Sequence, residues 1–292
     1  MLASRARAPY KARMTEFRKM HGLGNDFVVF DARNGDFALD EASARAVADR
    51  RTGIGCDQVI VIERSTNGAD AAMRIFNADG NEVEACGNAA RCVARLLFEE
   101  KGTTGVQIDT GAGRLICSDA GKDSVTVDMG QPRLDWQEIP LSSPVETKNF
   151  PLDIGGRCYA AAAVSVGNPH CVLFVDDAQN AAVEEIGAKV ENNPLFPHRT
   201  NVEFASVISP SRLRMRVWER GVGITRACGT GACAVGVAAH RRGLTDRKVE
   251  IELDGGILAI EWREEDDHIL MTGDAALAFT GKIDLAALEQ RP

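Results

Sequence analysis

Two of the eight cysteines, Cys86 and Cys228, occupy matching positions in the 292-residue chain. Cys86 stands in Ala85-Cys86-Gly87-Asn88 and Cys228 in Ala227-Cys228-Gly229-Thr230, each directly before a stretch that reads as a helix start. The first turn of a helix exposes unpaired N–H groups and carries partial positive charge. That setting should depress a thiol below its ordinary value of about 8.5 and supply a thiolate near neutral pH. The same N–H groups can hold a carboxylate. Two such helix starts, face to face, would grip one carboxylate with a sulfur on either side of the carbon bearing it. One cysteine then takes the α-proton as thiolate and the other returns a proton from the opposite face. The converging N–H donors stabilise the charge that develops, and the centre inverts.

An internal repeat sets the two cysteines in equivalent places. Met73-Arg74-Ile75-Phe76 is echoed by Met215-Arg216-Val217-Trp218, and nine residues after each aromatic comes Ala-Cys. Cys228 follows Cys86 by 142 residues, and Gly24-Asn25 and Gln58 recur as Gly167-Asn168 and Asn201 at an offset of 143. The chain therefore reads as two copies of one fold, joined near Gln131–Glu138.

Strand-like runs dominate: Asp26–Phe30, Gln58–Ile62, Ser124–Met129, Cys171–Val175, Arg212–Trp218, Lys248–Leu253 and Ile257–Trp262. Helices are expected from an Asp40 cap to Arg51, from Gly87 to Glu100, from Ala178 to Glu191 and from Thr230 to Arg242. The last is built from small residues and suits an enclosed, central position. Few strand pairs are joined by a helical crossover, so mixed or antiparallel sheets are expected rather than a doubly wound one. The fold class is α+β.

Composition narrows the partners. A net charge of −8 argues against nucleic acid or an anionic membrane surface. No apolar run approaches the roughly 18 residues that span a bilayer. The cysteines are too sparse for a disulfide scaffold, and the chain reads as cytoplasmic with reduced thiols. Met1 to Arg13 hold three Arg, one Lys and no acid. They read as a flexible extension rather than a targeting peptide, which they are too short and too polar to resemble well.

Cysteine is often only a small buried hydrophobe, and Cys56, Cys92, Cys117, Cys158, Cys171 and Cys233 are read so. A zinc site is not expected, because the cysteines lack tight pairing and clustered His. No Rossmann or P-loop glycine motif is present, and nothing calls for PLP, a nicotinamide or a flavin. Two facing thiols could oxidise to a disulfide, read here as an inactivating side reaction.

Several motifs together resemble the diaminopimelate epimerase family. They are Met20-His21-Gly22-Leu23-Gly24-Asn25-Asp26-Phe27, Asn77-Ala78-Asp79-Gly80, Ala85 to Cys92, Gly167-Asn168-Pro169-His170, Trp218-Glu219-Arg220-Gly221 and Ala227 to Cys233. The match runs in the family's order from Thr15 onward. It implies two pseudo-symmetric, strand-rich domains, each a mixed or antiparallel sheet wrapped around a central helix, with the site between them. The expected halves are 15–131 plus 277–292, and 132–276, after a 1–14 extension. The implied reaction is interconversion of LL- and meso-2,6-diaminopimelate, in lysine and cell-wall precursor synthesis, without cofactor or metal. A homodimer is a further implication.

Carried over by motif, Cys86 and Cys228 are the acid/base pair. Gly87-Asn88 and Gly229-Thr230 form the cradle for the reacting carboxylate. Asn25, Gln58, Asn77, Asn168, Asn201, Glu219 and Arg220 hold the rest of the substrate. His170 is implied to tune a cysteine's ionisation, with Glu219 sharing the task. The chemistry suits a substrate charged at both ends: Arg220 can fork onto a distal carboxylate and Glu219 can pair an ammonium. Glu219-Arg220 has no polar twin, since the first copy reads Asn77-Ala78, so one end would invert and the other be recognised. Ala89 and Ile224 depart from the family's common Gly and Glu, and Cys56 from its Phe or Ala. Two other readings compete: a proline racemase or hydroxyproline epimerase, and a non-catalytic metabolite-binding or thiol-redox protein.

Overall fold

A computed structural model describes residues 14–35, 37–84 and 86–289. The extension expected over 1–14 lies outside the described residues except for its last position. The first half opens with strands β1 (Met14–Gly22) and β2 (Asn25–Asp31), helix α1 (Glu41–Ala48), and β3 (Gln58–Glu63). It continues through β4 (Ala71–Asn77), β5 (Glu82–Val83) and α2 (Gly87–Lys101), then β6 (Gly105–Thr110), β7 (Gly113–Gly121) and β8 (Ser124–Asp128). The second half begins with β9 (Phe150–Ile154), β10 (Arg157–Ser165), β11 (Pro169–Phe174), α3 (Val183–Glu191) and β12 (Asn201–Ser209). Next come β13 (Arg212–Glu219), β14 (Gly223–Thr225), α4 (Gly229–Arg241), β15 (Lys248–Leu253), β16 (Gly256–Trp262) and β17 (Ile269–Asp274). Strand β18 (Ala276–Asp284) and α5 (Leu285–Glu289) close the chain.

The duplication is visible in the pairing. Parallel β2–β3, with Phe27 opposite Gln58, is matched by parallel β11–β12, with His170 opposite Asn201. Parallel β4–β6 is matched by β13–β15. The remaining neighbours are antiparallel, giving the mixed sheet expected. Corresponding strands β8 and β17 pair with each other, with Val127 opposite Met271. Strand β18 returns to β1, from Met14 opposite Asp284 to His21 opposite Ala276.

Each half wraps one helix. Ten residues of α4 are buried, from Gly229 through Ala239, because small side chains let strands approach from every side. Helix α2 buries ten residues too, and Gly102 ends it in the left-handed region at φ 62°. Both helices share a core with the sheets that enclose them, while α1 and α3 lie over separate outer cores.

Helix ends differ from the sequence expectation where side chains capture the backbone. Helix α1 stops at Ala48, not Arg51, because the Asp49 carboxylate accepts from the N–H groups of Arg51 and Thr52. Helix α3 starts at Val183, not Ala178, because Asp177 accepts from the N–H of Gln179 and the amide of Asn180 in a local turn. Cys158 is exposed on the β9–β10 hairpin rather than buried. It lies next to the Gly155-Gly156 turn, on the solvent side of the strand.

Candidate active site

Cys86 and Cys228 are the N-cap residues of α2 and α4, both in extended backbone, and neither caps its helix with the side chain. Neither helix has an acid in its first turn. The N–H groups of both first turns are therefore left for a ligand, and their partial charge is unopposed by a local carboxylate.

The two helix starts converge on one thioether. A Cβ built on Gly87 would stand 2.7 Å from Met271 Cε, and one on Gly229 would stand 2.8 Å from Met271 Sδ. A side chain at either glycine would have to displace the end of Met271. Asn88, buried in the first turn of α2, donates through Nδ2 to Asn25 Oδ1 at 3.1 Å. Its Oδ1 lies 3.2 Å from the position of a Gly229 Cβ and has no hydrogen-bond partner among the described residues. Asn88 thus reaches from one helix start to the other.

Each cysteine has a polar neighbour from its own half. Cys86 Sγ points at Asn25 Oδ1 at 4.0 Å, while Cys228 Sγ lies 3.6 Å from Thr230 Oγ1. Thr230 Oγ1 in turn accepts from Asn168 Nδ2 at 3.4 Å. A two-residue turn with positive φ at Leu23 and Gly24 places Asn25 at the head of β2. That turn rests on the second half, since a Cβ on Gly255 would fall within 1.9 Å of Leu23 O. Asp57 Oδ2 accepts from Asn25 Nδ2 at 3.0 Å, which turns the amide oxygen toward Cys86.

The polar residues expected to hold substrate divide into two groups. Gln58 Nε2 donates to Asn77 Oδ1 at 2.9 Å, and Gln58 Oε1 is buried without a partner among the described residues. Asn201 Nδ2 donates to Pro169 O, and its Oδ1 accepts from the Arg220 backbone at 2.9 Å. Asn201 therefore positions Arg220 and has both ends of its amide occupied. The Arg220 guanidinium is exposed, donates to His198 O at 3.2 Å, and meets no carboxylate among the described residues. Its charge remains available to a ligand.

His170 is fully buried, with Nε2 2.9 Å from Asn168 Oδ1 and Nδ1 2.7 Å from Glu203 Oε1. Glu203, also fully buried, was not among the residues singled out from sequence. Its signal was an acid on β12 in an otherwise apolar run, two residues from Asn201 and so on the same face. Glu203 lies under the first turn of α4: a Cβ on Gly231 would stand 2.8 Å from its Oε1 and 3.3 Å from Cys228 Sγ. Glu219 accepts the Thr225 hydroxyl. Strand β14, which sets Ile224 opposite Trp218, and the bond from Gly255 N to Arg226 O at 2.8 Å hold the loop before Cys228.

Thiol ionisation departs from the sequence expectation. Burial pushes Cys86 up to about 11, outweighing the N–H groups of Ala89 and Asn88, and Glu219 adds to the rise. Burial lifts Cys228 well above the usual thiol range, with Glu219 and Glu203 adding to it. Glu219 is itself raised by burial, against the opposing influence of Thr225 and His170. Loss of water outweighs the helix ends, and both thiols lie above their ordinary range.

The family model for diaminopimelate epimerase matches residues 17–134 and 162–278 of the chain. A diaminopimelate epimerase of Acidiphilium cryptum is 53% identical over 272 residues, covering 93% of this chain and 97% of that protein. One from Erythrobacter litoralis is 54% identical over 269 residues, covering 92% and 97%. Among solved structures, a hydroxyproline epimerase from Agrobacterium vitis superposes with a TM-score of 0.65 at 17% identity, covering 93% of this chain and 92% of that one. A Bacillus anthracis phenazine biosynthesis protein gives 0.66 at 15%, covering 93% and 99%. These two share the fold. The relatives' identity over almost the whole chain, and the match of one model to both halves, show that this protein belongs to the diaminopimelate epimerase family.

Proposed function

We propose that the chain epimerises LL-2,6-diaminopimelate to the meso isomer by a two-base mechanism in which Cys86 and Cys228 exchange a proton with one α-carbon. The reading is carried by the two uncapped helix starts, each headed by a cysteine, that meet across Met271. The N–H groups after Cys86 and Cys228 would hold the reacting carboxylate, with Asn88 and Thr230 completing the cradle. One sulfur, as thiolate, removes the α-hydrogen as a proton and leaves its electron pair on carbon, delocalised into the carboxylate. The opposite thiol delivers its proton to the other face and becomes the thiolate. Turnover leaves the two sulfurs with exchanged protonation.

Because burial raises both thiols, the first proton must go to a neighbour. Glu219, in Coulombic reach of both sulfurs, is the group proposed for this, assisted by the entering ammonium, with His170 orienting Asn168 and Thr230 beside Cys228. Arg220 would fork onto the distal carboxylate, with Asn201 holding Arg220 in place and Asn25, Gln58, Asn77 and Asn168 fixing the substrate between its ends. We further propose a cytoplasmic homodimer with halves 15–131 plus 277–292, and 132–276. Among the described residues strand β18 pairs with β1 alone, and it exposes Leu277 and Phe279 on a nine-residue edge, a surface suited to a second copy. No helix is long and apolar enough to cross a membrane among the described residues.

Incubation with diaminopimelate in reducing deuterated buffer tests the reaction. Deuterium should enter the α-position while LL and meso forms interconvert; no exchange at all would dismiss the proposal. Arg220→Ala should weaken diaminopimelate severely, whereas unchanged kinetics would favour a small cyclic substrate.

A further inference from the structure

Arg91 is the largest fully buried side chain among the described residues. It belongs to α2, one turn after Gly87, and helical side chains lean toward the N-terminus, so it lies back over the turn that starts at Cys86. Its guanidinium donates to Asp274 O at 3.3 Å and approaches Met271 Sδ at 3.6 Å, and Nη2 has no partner among the described residues. No carboxylate forms an ion pair with it among the described residues, and the Asp274 side chain instead accepts from Ser124 Oγ at 2.6 Å. Room for the charge is made by glycine: a Cβ on Gly22 would stand 2.9 Å from Nη2, and one on Gly273 would stand 3.4 Å from Cζ.

A buried cation without a counterion is costly, and it persists here directly behind the carboxylate cradle. Met271, which Arg91 touches, is the same side chain that packs on both Gly87 and Gly229. The charged and titratable groups around the guanidinium are Cys86 and Cys92 of α2, Cys233 of α4, Cys117 of β7 and Asp274 of β17. All the neighbours except Asp274 are thiols, which are neutral until one ionises.

We infer that Arg91 is a positioning residue for the epimerisation, whose counterion is the substrate carboxylate held across Met271 by the two helix starts. The inference rests on the cradle reading above. Removing the α-proton raises the charge on that carboxylate group from one to two negative, so a fixed cation behind it stabilises the deprotonated state more than the ground state. Acting through Met271 and a water-free core, the cation keeps its effect without touching substrate.

Steady-state kinetics against pH on full-length variants, with thermal melts for folding, tests this. Arg91→Met should lower kcat about 100-fold, by more than it raises KM, as loss of one preorganised charge does elsewhere. Arg91→Lys keeps a charge at neutral pH and should stay within about tenfold of wild type. A buried ammonium loses its proton below its usual value of about 10.4, so its alkaline limb should move down by about one pH unit or more. Burial lowers the Arg91 guanidinium too, but from so high a starting value that it keeps its charge over that range. A lysine variant with an unmoved limb, or one no better than Arg91→Met at neutral pH, overturns the inference; it decides alone should Arg91→Met fail to fold. Gly87→Ala and Gly229→Ala test the cradle separately. Wild-type activity in both removes the cradle and the inference with it, whereas impaired glycine variants beside wild-type-like Arg91 variants leave the cradle and remove only Arg91.

Discussion

His170 Nδ1 and Glu203 Oε1 lie 2.7 Å apart, and neither side chain reaches solvent. Asn168 donates through Nδ2 to Thr230, so its Oδ1 accepts from His170 Nε2. The other ring nitrogen and Glu203 Oε1 are then joined by a hydrogen bond through the proton between them. The chain from Glu203 through His170 and Asn168 to Thr230 ends beside Cys228. In the first half a shorter route, Asp57 to Asn25, ends beside Cys86. Each sulfur thus faces a polar group oriented by a carboxylate, though the two halves build the support from different residues.

Breaking the buried pair should show in both stability and rate. Glu203→Leu leaves the imidazole unpaired and should cost about 3–5 kcal/mol in urea unfolding. Glu203→Gln keeps the shape but removes the carboxylate from that hydrogen bond, and should lower kcat about 10-fold to 100-fold with little change in melting temperature. A leucine variant as stable and active as wild type would contradict the arrangement.

Gly231 is required by space rather than by backbone conformation. An added methyl would press on Glu203 Oε1 and Cys228 Sγ together. Gly231→Ala should destabilise by about 1–3 kcal/mol and reduce kcat, because both neighbours belong to the site. Ala89, the corresponding first-turn residue of α2, already carries that methyl in a fully buried place, so Ala89→Gly should leave kcat nearly unchanged. Equal effects at the two positions would argue against the crowding.

Thiol ionisation can be read by alkylation. With Cys86 pushed up to about 11, its thiolate fraction in the free protein should grow about tenfold per pH unit up to that value. Iodoacetamide labelling of Cys86, located by peptide mapping in a Cys158→Ser background, should keep accelerating beyond pH 9. A plateau near pH 7 would mean that the helix end, not burial, sets the thiol.

Acid stability should depend on the network beneath Asn25. Burial would raise the Asp26 carboxyl, but hydrogen bonds from Arg50 and Lys19 outweigh it and draw it down to about 2. The folded value lies below the unfolded one of about 3.9. Its stabilisation is therefore full above about pH 4 and is lost as pH falls through about 2, with a size on the order of 1 kcal/mol after solvent screening. Asp26→Asn should shift the urea midpoint at pH 6 and make little difference near pH 2. An equal shift at both would place the effect elsewhere.

Local chemistry was legible in the sequence wherever two copies repeated it. Cys86 and Cys228 stand out by equivalence alone, and the uncapped helices after them follow from Gly87-Asn88 and Gly229-Thr230. The seven strand runs read from the sequence all form strands: β8 and β15 bury alternate residues, whereas β2, β3 and β11 are buried on both faces and are marked instead by their β-branched and aromatic residues. Helix starts were less legible at α3, where a short Asx turn competes with the helix over the same residues.

What tertiary structure alone decided is the set of long-range neighbours and the solvent they exclude. Pairing of β8 with β17 places Met271 between both helix starts, though nothing local to Met271 marks it. Parallel pairing of β11 with β12 brings Glu203 to His170, 33 residues away. Burial reverses the sequence expectation for both thiols, because desolvation depends on every atom around a sulfur and a helix end on only one turn. The sequence by itself determined which groups can move a proton. The enclosing fold determined how tightly they hold on to it.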